Sequence, residues 1–298
     1  FVSPANSGQI NNIGVPGLRV VDYPVAGYAL QNKYAERFFN NTFGTPLDQL
    51  AFMVHNLHPT FFTLWMGTDD IMGYALSGGQ GDGTGTAVPL ALNYYNPNDI
   101  SPYTTFEKIY DTALTVAIST GASGALINIP DVASLPFFTT VPANGLRLNT
   151  EEEAANMQAY YATSTWNKVF QVGANYFIIR DHNGNVRQAV PGELILLSIP
   201  MDSIKCAGWG STTPIPEQYV LTTDELQHIR AAVTRFNGFI KFEAQLHNLA
   251  YVDMNTYLSQ VASGITYNGI KYNAQFVAGG AFSLDGIHPT PRGYALIA

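Results

Sequence analysis

The chain ends in GAFSLDGIHPTPRGYALIA, and within it Asp285 and His288 are the residues whose types and spacing point most directly to chemistry. A histidine three residues after an aspartate, followed by a proline, puts both side chains on one loop. There the carboxylate can accept from the imidazole N–H, fix the tautomer and stabilise the imidazolium. His288 is then able to act as general base toward a hydroxyl nucleophile. On its own the pair fits equally a turn with a solvated aspartate and a surface histidine.

Other candidates carry weaker signals. His55 and His58 have the spacing of a metal pair at a helix end, but no third ligand is evident, so surface or capping roles are expected and no metal is assigned. His182 falls in an expected hairpin turn. His228 and His247 read as ordinary residues of a long helix. Asp131, in NIPD, ends a predicted buried strand, on the side where ligands gather in open α/β sheets; substrate contact and a structural turn are both open. Phe137 and Phe138, in SLPFFTTVP, suggest an apolar wall for an acyl or leaving group, with core packing as the alternative. The single cysteine, Cys206, excludes an intrachain disulfide and is expected to be a small buried residue.

The elements that must position these residues come from a chain of 298 residues, long enough for a sizeable core. Charged residues are 12% of the chain, about half the usual share. The surface is therefore carried by neutral polar and aromatic residues, a balance common outside cells. A net charge of −8 without a Lys/Arg cluster argues against nucleic-acid binding. Apolar runs fall short of the roughly 18 residues that a membrane-spanning helix needs, so no transmembrane segment is expected.

Residues 46 to 57 show helical spacing. PTFFTLWMG reads as a fully buried strand, TTFEKIYDTALTVAISTG as a helix stopped by Gly121, and GALINIPDV as a second buried strand. That order suggests a βαβ unit and a parallel sheet. SGGQGDGTGT, within residues 77 to 100, reads as a flexible surface excursion. Residues 133 to 220 look like an insertion, with a helix over TEEEAANMQAYYATSTWNKVF and a hairpin turning at Asn183-Gly184. The longest helix is expected to start at Thr222 or Thr223, with Glu225 closing a capping box on Thr222. AYVDMN reads as a third buried strand and ITYNGIKYN as another hairpin.

Taken together, DGIHPTPRGY, WMGTDDIMGYA after PTFFTL, and NNIGVPGLR resemble blocks of the SGNH, or GDSL-like, hydrolases, and are most similar to the large SGNH proteins of Bacteroidetes. The resemblance covers the chain from about residue 9 onward. It implies a single SGNH-like α/β domain over 1–298, a flavodoxin-like three-layer α/β/α sandwich with a parallel sheet and an inserted cap region. It also implies carboxylic ester hydrolysis by a Ser-His-Asp mechanism, with His288 as base, Asp285 orienting it, and Gly17 donating its N–H to the oxyanion. No cofactor is implied. The expected partner is a small ester, lipid or acylated-carbohydrate substrate, and the expected location is secreted or anchored at the cell surface, as in outer-membrane lipoproteins.

Two departures accompany the resemblance. The GDSL nucleophile block is missing. Ser3 and Ser7 lack its context, and no serine is assigned. The expected first strand and last helix are incomplete, which suggests either part of a longer polypeptide, with the serine upstream, or a natural loss. Further, Asp69 stands where the family has its oxyanion-hole asparagine, followed by Asp70 at the family's own aspartate. A carboxylate donates no hydrogen bond, so the oxyanion hole is either weakened or rebuilt. The alternative is therefore a catalytically degenerate scaffold that serves as a binding or accessory subunit, with a protein partner in a cell-surface assembly.

Overall fold

A computed structural model describes residues 11–37, 44–90 and 94–298. Ser3 and Ser7 lie outside the described residues. Helix α1 (Tyr28–Gln31) precedes α2 (Pro46–Leu57), strand β1 (Phe61–Trp65), α3 (Asp69–Leu76), α4 (Tyr103–Ile118) and β2 (Ser123–Ile127). Short elements follow: α5 (Pro136–Thr139), β3 (Leu146–Leu148), α6 (Glu151–Tyr160), β4 (Gly173–Asn175), β5 (Ile178–Arg180), β6 (Val186–Gln188), β7 (Leu194–Ile195), α7 (Met201–Cys206) and β8 (Val220–Leu221). Helix α8 (Thr223–Leu246), β9 (Ala250–Val252), α9 (Met254–Ser263), the pair β10 (Ile265–Tyr267) and β11 (Ile270–Tyr272), and α10 (Pro291–Ile297) complete the order. No helix among the described residues is long and apolar enough to cross a membrane.

The chain divides into two compact units. The first comprises Phe1–Gly73, Thr84–Pro130 and Ala231–Thr256; the second comprises Tyr74–Gly83, Asp131–Arg230 and Tyr257–Ala298.

The first unit is α/β. Its sheet has the order β1-β2-β9, with both pairings parallel, as the strand–helix–strand pattern predicts. Its core contains Phe106, Tyr110 and Leu114 of α4, Leu126 of β2, and Phe236 and Ile240 of α8, all fully buried. Phe106 stacks on Phe236 with centroids 3.8 Å apart, which ties α4 to α8. Helix α2 starts on a reciprocal cap. The Thr45 hydroxyl accepts from Asp48 N–H, and the Asp48 carboxylate accepts from Thr45 N–H.

The expectation that β1 and β9 are fully buried is corrected. Leu64 and Leu126 point inward, but Phe61 is 59% and Trp65 38% exposed, and Ala250 and Val252 are exposed with them. Residues paired in register share a face, and Trp65, Ile127 and Val252 are so paired. The sheet is thus covered chiefly on one side. The sequence hid this because both faces of β1 carry large apolar residues, where one-sided burial usually brings polar residues outward.

In the second unit, β3–β4, β5–β6, β7–β8 and β10–β11 form antiparallel pairs. Phe177, Ile179, Ile195, Ile215 and Val220 pack together in one cluster, and Leu148, Ala154, Met157, Tyr161 and Ile178 in another. Asn183-Gly184 turns the β5–β6 hairpin, and Asn268-Gly269 turns β10–β11 with φ of 48° and 79°. Glu225 accepts from Thr222 N–H at the start of α8, the closure expected of a capping box.

Three expectations fail here. Helix α6 stops at Tyr160, and the residues beyond it fold back so that Trp166 and Phe170 pack around Tyr161. Cys206 is exposed, because α7 buries none of its residues. The glycine-rich run is largely inside. A Cβ on Gly83 would lie 2.5 Å from His228 Nδ1 and 2.6 Å from the Tyr74 hydroxyl, so close approach, not flexibility, explains its glycine.

Candidate active site

The loop after β11 is closed before it reaches its chemistry. Phe282 and Pro289 form an antiparallel bridge, and Ser283 N–H donates to the His288 carbonyl at 2.8 Å. Inside this closure Asp285 accepts four hydrogen bonds. Its Oδ1 takes the Ser283 hydroxyl at 2.6 Å, Ile287 N–H at 2.8 Å and His288 N–H at 2.9 Å. Its Oδ2 lies 2.8 Å from His288 Nδ1. Burial opposes charge on Asp285, but these hydrogen bonds outweigh it and hold the carboxyl well below the usual carboxylate range. An ionised acceptor on Nδ1 selects the tautomer with the proton there, which leaves Nε2 with its lone pair. The His288 side chain is 61% exposed, so that nitrogen faces accessible space.

The backbone holds the loop from behind. Phe137 N–H donates to the Gly286 carbonyl at 2.9 Å, and Gly286 has φ of 72°. A Cβ at Gly286 would sit 2.8 Å from Phe137 N, a backbone atom that cannot swing aside. Gly286→Ala is therefore expected to cost at least the ~1–2 kcal/mol of a left-handed non-glycine residue. It should also loosen the Asp285–His288 contact. Urea unfolding and the imidazole NMR signals of His288 measure the two effects; unchanged values for both would contradict this account of the loop.

Phe137 is half-buried beside that loop, whereas Phe138 is fully buried core, so of the two expected wall residues only Phe137 borders the pair. Asp131 serves its own turn: its carboxylate accepts from Ala133 N–H at 3.1 Å and caps the short helical turn Val132–Ser134.

Gly17 and Asp69 both belong to the first unit. Pro16 and Gly17 form the middle of a Val15–Leu18 turn, closed by Leu18 N–H to the Val15 carbonyl, with Gly17 at φ of 77°. The Tyr28 hydroxyl donates to the Gly17 carbonyl at 3.1 Å. Burial pushes that hydroxyl's pKa up to about 12, with the charges of Asp22 and Asp69 adding to the rise, so Asp69 is electrostatically within reach of this turn. Asp69 opens α3, just past the carboxyl end of β1, where acidic residues complement the helix dipole. Asp70, fully buried, staples the two segments: its carboxylate accepts from Val20 N–H at 2.7 Å and Val21 N–H at 3.4 Å.

The remaining histidines separate by role. His55 and His58 are exposed, and His58 ends α2 in a left-handed conformation. His182 is exposed in its hairpin turn. His228 is no ordinary helix residue, since its Nδ1 lies 3.2 Å from the Tyr74 hydroxyl.

Sequence reasoning missed a polar knot at the ends of β2 and β9. The Asn128 amide donates to the Tyr251 hydroxyl at 2.7 Å and to Asp253 at 2.9 Å, while the Asn237 side chain brackets both the N–H and the carbonyl of Ile129. Three asparagines, 128, 237 and 255, share it from distant positions, so no local signal announces it. It also missed the grouping of Asp111, Glu243 and His247; only the four-residue spacing of the last two was visible. In comparisons with known proteins, no family model, no curated protein and no solved structure matches this chain.

Proposed function

We propose that the chain carries the acid–base half of a serine-type carboxylic ester hydrolase on a flavodoxin-like SGNH scaffold. The observation that supports it best is the Asp285–His288 pair, with one ring nitrogen held by a carboxylate that three other donors fix and the other turned outward. In this reading the nucleophile is a serine outside the described residues. His288 Nε2 takes its proton as the hydroxyl attacks the ester carbonyl, then returns the proton to the departing alcohol. Asp285 orients the ring and stabilises the imidazolium. Phe137 borders the acyl or alcohol group. The substrate is a small ester, a lipid or an acylated carbohydrate met outside the cell or at its surface, and the chemistry uses no cofactor.

The test is turnover of p-nitrophenyl acetate and butyrate by the natural full-length polypeptide, with covalent labelling by a fluorophosphonate as a second readout. His288→Ala is expected to abolish both. A full-length chain whose serine is present, yet which neither turns over nor labels, sinks the proposal.

Asp69 favours a second reading. A carboxylate where an amide would donate to the oxyanion weakens turnover. A non-catalytic scaffold that binds an acylated ligand, or a protein partner, accommodates it. Ligand binding without turnover, unaltered in Asp69→Asn, selects this reading.

A further inference from the structure

Helices α4 and α8 are clamped along one line of contacts in the first unit. Arg235 Nε donates to Glu107 at 2.7 Å, Phe236 stacks on Phe106, and Phe239 meets Tyr110 edge-on at 5.9 Å. Contacts rise together along both helices, so at this interface the two run in the same direction. The next step along the line has no such closure. Asp111 of α4 meets Glu243 near the end of α8 and His247 just beyond it, and one ligand atom from each lies within 4.8 Å of the others.

The chemistry of this cluster is incomplete. The Glu243 side chain is only 4% exposed, yet its Oε2 makes no hydrogen bond among the described residues, and neither does His247 Nε2. The two atoms face each other at 3.4 Å. A buried carboxylate oxygen and a buried ring nitrogen that have only each other, at ion-pair distance and with no hydrogen bond to any further group among the described residues, each keep much of a desolvation cost that is uncommon in folded proteins. The fully buried Tyr110 hydroxyl beside them is a third buried polar atom without a hydrogen bond among the described residues. Burial, reinforced by the charge of Asp111, raises the pKa of Glu243.

We propose that Asp111, Glu243 and His247 form a site for one first-row divalent metal ion of the zinc class, bound as a clasp between α4 and the end of α8. Two carboxylates and an imidazole are an oxygen–nitrogen set suited to zinc. Ligand atoms at about 2.0–2.1 Å from a tetrahedral ion lie about 3.3–3.4 Å apart, which is the spacing of Glu243 Oε2 and His247 Nε2. Asp111 is exposed and free to swing its carboxylate inward, and the fourth position is left to water. The clasp converts two buried atoms that otherwise have only each other into ligands, and ties down the end of α8 before β9.

The experiment uses untagged protein stripped with chelator, in a His55→Gln/His58→Gln background that removes the exposed histidine pair. Isothermal titration with zinc is expected to show one saturable equivalent. The thermal midpoint should rise with zinc concentration and not with magnesium at the same concentration. Asp111→Asn and His247→Gln should each weaken zinc binding by tenfold or more; Asp111 is exposed, so its variant keeps the fold. Cobalt in place of zinc should give the visible absorption of a four-coordinate site, altered in His247→Gln. The assignment is overturned by the absence of saturable zinc binding, or by binding that both variants leave unchanged. It is also overturned if binding vanishes with His55 and His58, because an ion pair between His247 and Glu243 alone then describes the cluster.

Discussion

Lowering the pH from 8 to 5 is expected to stabilise the fold, and Asp70→Asn is expected to remove most of that gain. Asp70 is fully buried. Two backbone N–H groups and the nearby Arg19 favour its charge, but desolvation is the larger effect and pushes its pKa up to about 7. In the unfolded chain an aspartate titrates near its ordinary value of about 4. Between those values the folded state holds a proton that the unfolded state has lost, so each step up in pH costs stability until the folded pKa is passed. A shift of about three units corresponds to on the order of 4 kcal/mol. Glu225 and Glu243 are also raised, chiefly by burial, and act with the same sign. Asp285 and Asp253 are lowered and act oppositely, but only as pH falls below about 4. A stability maximum near pH 4 follows, with stability rising steadily as the pH falls from 7 to 5. Urea midpoints measured at pH 5, 6, 7 and 8 check it; midpoints that climb toward pH 8, or an Asp70→Asn chain that keeps the same slope, contradict it.

The second large effect lies at Asp285. Under the proposed ester chemistry, Asp285→Asn is expected to lower kcat about 10⁴-fold with the fold intact. Three of the four hydrogen bonds to this carboxylate converge on Oδ1, which the amide oxygen of asparagine can replace. The amide nitrogen then faces His288 Nδ1 as a donor. The ring must answer as an acceptor there, the proton moves to Nε2, and the base is lost. Nitrogen NMR of the imidazole reads this tautomer change directly and needs no turnover. A ring that keeps its proton on Nδ1 in the variant would falsify the argument, whatever the activity.

What was legible in the sequence was local. The dyad could be read because Asp285 and His288 share one loop and their contact spans three residues. The β1–α4–β2 order was legible because apolar spacing changed from strand to helix and back, with Gly121 as a stop. Burial was not. Phe61 and Trp65 are as apolar as the core residue Leu64, so the pattern could not say that they face outward. The glycine run was misread because glycine serves loose loops and tight contacts alike, and only the neighbours Tyr74 and His228 tell them apart. The three proposed metal ligands were hidden for a similar reason. Glu243 and His247 share a helix end, but Asp111 reaches them from α4, far away in the chain.

The interrupted course of the first unit governs how the protein can be made. Strands β1 and β2 and helix α4 leave the ribosome early, while Phe236 and strand β9 leave only after the whole Asp131–Arg230 segment. Until then Phe106 lacks its stacking partner, and one edge of β2 has open backbone groups. Closing so distant a contact is slow, and an unpaired strand edge invites pairing with other chains. Synthesis rate and chaperone supply, more than final stability, are thus expected to set the yield. A shortened chain that ends before α8 should accumulate as aggregate even if every residue it retains is native.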